Sequence, residues 1–223
     1  MKVKNMINKF FKIKFIFVYC LVFVFFNNSS MADSNYIKLN YGITSNEIGA
    51  SAVGASTIVN DEDDEGFILS AGRLVGDTWG IDFMYYDLGS SSIKVDANEV
   101  FSFGGNNYIA SSGGTISNDI SGYGGGLYIS SSSGEEFLSF SGTFRIGIHA
   151  WDKSGSTSIL DNSNAFSADF YNDGVGAYAG FGLSLGLTEN LAADISYDII
   201  GVNNIVSFEN GSSIASIGLK YNF

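Results

Sequence analysis

The chain contains no proline and only one cysteine, Cys20, among its 223 residues. The cysteine lies in an N-terminal segment that we expect to be removed, so the mature chain can form no internal disulfide and has no thiol chemistry. The absence of proline suits a chain built from paired strands, because proline cannot donate to a strand ladder. The length permits a single domain.

The N-terminal apolar run is too short for a membrane-spanning helix, which needs roughly 20 residues. The run covers residues 15–26 and follows a basic stretch with Lys2, Lys4, Lys9, Lys12 and Lys14. Small residues at 30–32 fit the positions that a signal peptidase reads. We interpret residues 1–32 as a cleaved secretory signal peptide, and its length argues against an uncleaved anchor. Residues 33–223 are then the mature domain.

Basic residues are scarce in the mature domain. Six remain against all 23 acidic residues, so residues 33–223 carry a formal charge of −17. Phosphate binding needs a positive surface, which excludes nucleic acid as a partner. The sequence has no Cys/His cluster and no phosphate-binding loop. We therefore predict no cofactor and no enzymatic activity.

Short alternating runs take the place of any sustained 3.6-residue period. Apolar residues recur at every second position, and Gly, Ser, Asn and Asp separate the runs, which is typical of strands and turns. We predict eight strands: Tyr36–Thr44, Gly66–Val75, Thr78–Leu88, Ile120–Ser131, Phe137–Trp151, Gly174–Gly186, Leu191–Ile200 and a last strand that ends at Phe223.

The last strand ends on an aromatic carboxy-terminus. Its apolar face carries Leu219, Tyr221 and Phe223, and its other face carries glycine or polar residues. Chain termini usually fray. A transmembrane β-barrel, in contrast, needs its last strand, because that strand closes the sheet and removes the open edge.

The connections between the predicted strands alternate in length. Short connections lie at about 76–77, 132–136 and 187–190, and long connections at about 45–65, 89–119, 152–173 and 201–213. Outer-membrane barrels have short periplasmic turns and longer external loops. The prediction is all-β: an eight-stranded antiparallel up-and-down transmembrane β-barrel in a bacterial outer membrane, with both termini periplasmic.

The charged residues within the strands share the polar face, except Arg73, which has the parity of the apolar face but lies beside the short turn, where the cost is lower. A Lys or Arg on the lipid face costs about 2–4 kcal/mol at the bilayer midplane, so we expect the charged side chains of the polar face to point into the lumen. They are Lys38, Asp82, Arg145, Asp194, Asp198 and Lys220. Closure places Lys220 near Asp194 or Asp198, with Lys38 nearby. Arg145 and Asp82 can meet across the lumen. The interior of eight strands is just wide enough for side chains, which favours a space-filling charge network over an ion path.

The densest charge lies at residues 61–65. Asp61, Asp63 and Glu65 imitate the start of a calcium loop, but Gly72 stands where the closing glutamate belongs. We favour a solvated acidic loop tip. The alternative is a site for divalent cations, which could bridge lipopolysaccharide phosphates.

His149 is the only histidine, and Asp152 and Ser154 follow it near the predicted external rim. A base beside a serine and an acid is the arrangement that a lipid-modifying enzyme needs. No second chemical marker accompanies these residues, so catalysis is only an alternative interpretation.

Two stretches resemble the small outer-membrane β-barrel family typified by OmpA and OmpX. Residues 176–197 resemble its glycine-rich strand, its Thr-Asp/Glu-Asn-Leu turn and the strand that follows. Residues 217–223 resemble its closing strand. The resemblance implies that Leu219, Tyr221 and Phe223 form a signal for the barrel-assembly machinery. It covers the mature chain, which has no counterpart of the peptidoglycan-binding domain of OmpA.

A shared architecture does not fix an activity. We predict a structural or surface-interaction role through acidic extracellular loops. A small pore or passive channel and a lipid-modifying enzyme are the alternatives. The expected partners are outer-membrane lipid, lipopolysaccharide, the barrel-assembly machinery and a surface ligand whose identity is left open.

Overall fold

The computed structural model describes residues 35–46, 50–52, 58–61, 63–103, 106–111, 113–133, 139–161, 164–202 and 211–223. The predicted signal peptide lies outside these ranges, which contain no helix long and apolar enough to cross a membrane. The described residues form twelve strands: β1 Asn35–Asn46, β2 Ala50–Ala52, β3 Ile58–Asp61, β4 Asp63–Leu74, β5 Trp79–Val95, β6 Glu99–Phe103, β7 Asn106–Ala110, β8 Gly114–Ser133, β9 Phe140–Asp161, β10 Asn164–Gly186, β11 Leu191–Ile200 and β12 Ser212–Asn222.

Eight strands close into an antiparallel barrel in the order β1, β4, β5, β8, β9, β10, β11 and β12. The first and last strands pair from Tyr36 opposite Asn222 to Asn46 opposite Ser212. Beyond them, the backbone of Phe223 exchanges two hydrogen bonds with that of Asn35. The predicted barrel, and the role of the terminal strand in closing it, are confirmed.

The strands are strongly staggered around the barrel. One row of directly paired residues starts at Glu65, next to the long connections, and ends at Trp79, next to the short turn at 75–78. The row consists of Glu65, Ile43, Ala215, Tyr197, Phe181, Phe144, Ile129 and Trp79. It therefore runs from the long-connection end of the barrel to the short-turn end, which is the tilt that closure of a small barrel requires.

The outer surface of the barrel is apolar. Alternate positions along each strand point outward, and large hydrophobic side chains there stay exposed; Ile148 is 63% exposed and Ile217 is 65% exposed. Between these apolar positions, charged side chains such as Lys38, Arg145 and Asp194 point inward. This arrangement is the reverse of a soluble barrel and matches a barrel that faces lipid.

Four strands extend further than predicted. Strands β5, β8, β9 and β10 continue beyond the apolar surface, and β3 pairs with the outer part of β5. Strands β2, β6 and β7 form a separate three-stranded sheet. Much of the predicted long connections at 89–119 and 152–173 is therefore strand, not loop. The alternation of polar with apolar residues is weak there, which hid these strands in the sequence.

A β-bulge marks the point where β5 leaves the apolar surface. The pairing of β5 with β8 shifts between Asp87 and Ser90, and Gly89 has a positive φ of 68°. Before the bulge, even-numbered residues such as Tyr86 face inward. After it, Ile93 and Val95 face inward instead. They form a second core with Phe101, Ala110 and Ile116, against which Phe170 packs.

The outward-facing side chains of β8, β9 and β10 change from apolar to polar at the level of the bulge in β5. Below the level of Asp152 these strands carry residues such as Leu127 and Ile148, which are exposed and apolar. Above it, the residues of this face whose side chains the structure describes include hydroxyl, carboxyl and tyrosine groups. We call these the outer polar face: Ser117, Asp119, Ser121, Asp152, Ser154, Ser156, Asp169, Tyr171 and Asp173. Beyond the barrel, the sheet therefore has a polar outside and an apolar inside, as a water-exposed sheet does.

The bulge at Gly89 is a position where a substitution should destabilise the extended part of the sheet. A Gly89→Val variant adds a β-branched side chain at a positive φ, which costs about 1–2 kcal/mol, and its Cβ would lie 2.5 Å from the carbonyl oxygen of Glu65. We expect faster proteolysis of the part beyond the bulge, with the barrel intact. Gly142→Val is the control, because the nearest atom to its Cβ is 3.9 Å away. Equal proteolysis of the two variants would contradict a structural role for the bulge.

Candidate functional site

The lumen holds the charged residues that share the polar face of the strands. Lys38 pairs with Asp194, with Nζ and Oδ1 3.0 Å apart. The same oxygen accepts a hydrogen bond from Asn40 Nδ2 at 2.8 Å, and Oδ2 accepts one from Ser184 Oγ at 2.7 Å. Asp194 is 2% exposed. Its charge is thus balanced and its oxygens are hydrogen-bonded, as a buried carboxylate requires.

Arg145 forms the centre of the lumen. Its Nε donates to Asp198 Oδ1 at 2.8 Å, and its Nη2 lies 2.7 Å from Oδ2 of the same carboxylate. Its Nη1 donates to Ser70 Oγ at 3.0 Å and lies 3.7 Å from Asp82 Oδ2. The Tyr178 hydroxyl donates to the other oxygen of Asp82. Arg145 is therefore placed between two buried carboxylates on different strands.

Glycine on β10 makes room for this arrangement. A side chain at Gly180 would collide with the carboxylate of Asp198 and the guanidinium of Arg145. Gly180 is also directly opposite both residues in the strand pairing. The glycine at position 180 thus follows from the bulk of the charged groups that face it.

Lys220 does not occupy the place that the sequence suggested. Lys38, not Lys220, pairs with Asp194, and within the described residues Lys220 forms no ion pair with either Asp194 or Asp198. Its Nζ lies 4.8 Å from the ring centroid of Tyr36, which is a cation–π contact. The reason is register: Lys220 is directly opposite Lys38, and the oxygens of Asp194 are already engaged. Lys220 faces a polar cavity of about 390 Å³ at the short-turn end.

The long-connection half of the lumen is filled by large apolar side chains, which the sequence analysis missed. We call this cluster the apolar cap; it consists of Ile68, Met84, Tyr86, Leu88, Ile120, Trp151, Tyr178, Ile200, Val202 and Ile214. The available signal was the continuous apolar run at 67–69 and at 83–86, which indicates burial on both faces. Above the polar cavity at the short-turn end, the cap and the charged residues together occupy the lumen.

His149 lies in the lumen, apart from Asp152 and Ser154. The ring is 2% exposed; Nδ1 lies 2.6 Å from the Tyr86 hydroxyl and Nε2 lies 3.0 Å from the carbonyl oxygen of Gly201. A carbonyl only accepts, so we assign the proton to Nε2 and let the Tyr86 hydroxyl donate to Nδ1. Asp152 and Ser154 lie on the opposite, outer face of β9, so the structure does not bring the three residues together.

The predicted acidic tip is divided between two faces. Asp63 and Glu65 lie on the outer face of β4, and Tyr41 donates a hydrogen bond to Glu65. Asp61 ends β3, and its side chain lies outside the described residues. Asp64 points inward and accepts hydrogen bonds from the backbone and hydroxyl of Ser90, which stabilises the bulge. Among the described residues, no group of three acidic, His or Cys side chains is arranged for a metal ion.

The predicted assembly signal lies on the outer surface. Leu219, Tyr221 and Phe223 are each about half exposed. The rings of Tyr221 and Phe223 are stacked, with centroids 6.3 Å apart. The three side chains therefore form one apolar strip at the seam where β12 meets β1.

The fold is similar to those of several outer-membrane proteins. One is Ail, the attachment invasion locus protein of Yersinia pestis, solved with the heparin analogue sucrose octasulfate: identity is 14%, the TM-score is 0.47, and the match covers 86% of this chain and 100% of Ail. OprG from Pseudomonas aeruginosa has 11% identity and a TM-score of 0.48, with 86% and 97% covered. Neisserial surface protein A has 18% identity and a TM-score of 0.36, with 86% and 100% covered. No protein-family model and no curated protein matches the chain.

The placement of Arg145 predicts a large loss of stability on its removal. Arg145→Met leaves Asp82 and Asp198 buried without their cation, and breaking such a pair costs about 3–5 kcal/mol. We expect a corresponding drop in the free energy of unfolding, measured by urea titration in detergent micelles. Lys94→Met is the control: Lys94 is exposed, and such a change stays within about 0.5 kcal/mol. A similar small effect for both variants would contradict the central role of Arg145.

Proposed function

We propose that the protein is an integral outer-membrane β-barrel that carries a folded β-structure at the cell surface and acts there through contacts, without catalysis. The observation that carries this proposal is the filled lumen beneath an outer polar face. A barrel that conducts needs an open interior, whereas a barrel that only anchors a surface structure does not. The outward apolar surface supports the membrane location, because such a surface is costly to expose to water.

The orientation follows from the lengths of the connections. The turns at 75–78 and 187–190 are short, and the extended strands and the outer polar face lie at the other end. In outer-membrane barrels the short turns are periplasmic. We therefore place both termini in the periplasm and the outer polar face outside the cell, next to the sugars and phosphates of lipopolysaccharide.

The negative charge of the outer polar face limits the kind of partner that can bind there. Asp119, Asp152, Asp169 and Asp173 lie on the outer polar face. Partial desolvation, with the nearby carboxylates of Asp87 and Asp64, raises the pKa of Asp119 above its ordinary value. A surface of this charge favours a partner that is neutral or cationic. The strip of Leu219, Tyr221 and Phe223 is, in this proposal, what the barrel-assembly machinery reads during insertion.

A small pore is the second candidate. Lys220 and the polar cavity at the short-turn end favour it, because they give water access to part of the lumen. Above that cavity, however, the charged residues and the apolar cap fill the interior. A continuous ion path would require these side chains to move.

Planar-bilayer recording of the refolded mature protein separates the two candidates. We expect no steady single-channel current, because an ion would have to displace Arg145 and then pass the apolar cap. An open porin in the same bilayer is the positive control for insertion and detection. Steady, reproducible unitary currents from the wild-type protein would reject the anchoring proposal in favour of the pore.

A further inference from the structure

A trough with a volume of about 420 Å³ lies on the outer polar face, across β8, β9 and β10. Two rows of directly paired residues line it. Asp119, Ser154 and Tyr171 form the row nearer the apolar surface, and Ser117, Ser156 and Asp169 form the next row outward. The central strand, β9, contributes a small serine to each row, which leaves open space between the larger side chains of β8 and β10.

Packed strands support the trough from below. Phe170 borders it and also packs against the second core of the sheet. Gly155 is directly opposite Phe170, and a Cβ at this position would lie 2.4 Å from that ring. The hydroxyl of Tyr171 donates a hydrogen bond to Asp152. The ring of Tyr171, which is 44% exposed, is therefore held in place at the edge of the trough.

The two carboxylates of the trough stand at opposite corners. Asp119 and Asp169 are two strands and one row apart, which places their Cα atoms about 12 Å from each other. Side chains stand roughly perpendicular to a sheet, so the two carboxylates do not converge on one metal ion. The space between them admits a sugar ring that donates a hydroxyl group to each carboxylate over about 2.7 Å.

The lining of the trough matches the chemistry of a sugar better than that of a phosphate. A hexose ring carries hydroxyl groups around its edge and C–H groups on its faces. Asp119 and Asp169 accept hydrogen bonds from hydroxyl groups, and such bonds are strong because the acceptor is charged. The exposed ring of Tyr171 offers an apolar surface to the C–H groups. Among the described residues no Lys or Arg lines the trough, and two carboxylates repel a phosphate group.

The position of the trough determines which molecule meets it. The trough faces in the same outward direction as the lipid-facing surface of these strands. It lies just beyond the paired row where that surface ends, which consists of Asp87, Ser121, Asp152 and Asp173. In the orientation given under the proposed function, lipopolysaccharide stands beside the barrel at this end. Its oligosaccharide is the part that rises above the lipid.

We propose that the trough binds one unphosphorylated hexose ring of the lipopolysaccharide oligosaccharide. Tyr171 contacts a face of the ring, and Asp119 and Asp169 accept hydrogen bonds from its hydroxyl groups. The proposal rests on the orientation given under the proposed function, and it assigns to the outer polar face a partner in the same membrane.

A titration of the refolded protein in detergent micelles tests the proposal. The probe is lipopolysaccharide core oligosaccharide, released by mild acid and dephosphorylated, and the readout is the backbone amide chemical shifts. We expect saturable shifts at the residues of the trough. Asp119→Ala should weaken binding about tenfold, because it removes a hydrogen bond to a charged group. Tyr171→Ala should weaken binding about fivefold, because it removes the aromatic contact.

Asp173→Ala is the matched control. Asp173 is exposed and lies on the outer polar face of β10, outside the trough, so binding should stay within about twofold of the wild type. Equal affinities of the three variants, or shifts that do not saturate, would overturn the trough as the site. Tighter binding of the oligosaccharide with its phosphates left on would overturn the choice of an unphosphorylated ring. Shifts with a lysine-rich peptide, and none with the oligosaccharide, would replace the sugar by a cationic partner.

Nanodiscs identify the source of the ring. In nanodiscs that contain lipopolysaccharide with its full core, added oligosaccharide should no longer shift the amides of the trough, because the membrane already supplies the ring. In nanodiscs that contain lipid A alone, it should shift them. Equal shifts in both would overturn lipopolysaccharide of the same membrane as the source. Heat-dependent gel migration reports a closed barrel for each variant, and a wild-type protein that dissolves without detergent would instead reject the proposed function itself.

Discussion

Every backbone N–H and C=O group that crosses lipid must find its partner within the protein, and the pairing of β1 with β12 meets this requirement. These two strands match residue for residue from Tyr36 to Asn46, and the terminal Phe223 extends the match by one more pair. Because the sheet closes, its strands tilt, its outside becomes one apolar surface and its interior becomes narrow. Because the barrel is closed and narrow, its interior has room only for side chains.

The narrow interior is filled by two different means. Near the short turns, Lys38 and Arg145 neutralise Asp194, Asp198 and Asp82. Nearer the long connections, the apolar cap fills the space. A buried charged group stabilises the interior only when it is paired. Beside the extended strands, the apolar cap therefore stabilises the lumen by apolar packing. The second core around Ile93 and Phe101 continues this apolar interior outward.

The sequence predicted the features that repeat along many residues. The alternation of apolar and polar residues predicted the strands, and Leu191–Ile200 was predicted with the bounds that the structure has. The inward direction of the charged side chains followed from the free-energy cost of placing them in lipid. What escaped prediction depends on a few local contacts. The bulge at Gly89 turns Ile93 and Val95 inward, and its effect on the strand face is visible only once the pairing of β5 with β8 is known.

The candidate site shows the same division. The prediction that Arg145 meets Asp82 follows from parity and closure. The pairing of Arg145 with Asp198, and of Lys38 rather than Lys220 with Asp194, depends instead on the relative height of neighbouring strands. The stagger of a closed barrel sets that height, and no short sequence pattern encodes it. His149 illustrates the converse: its sequence neighbours Asp152 and Ser154 lie on the other face of the same strand.

The most direct test of the account is a single-cysteine scan of β9 in intact cells, since residues 33–223 contain no cysteine of their own. Phe144, Ile146 and Ile148 lie on the outer face below the polar boundary, and Ser154 and Ser156 lie on the same face above it. We predict that a membrane-impermeant maleimide labels cysteines at 154 and 156 and leaves those at 144, 146 and 148 unlabelled. A cysteine at Asp77 should react only after permeabilisation. Equal labelling along the strand, or labelling at 77 in intact cells, would contradict the account.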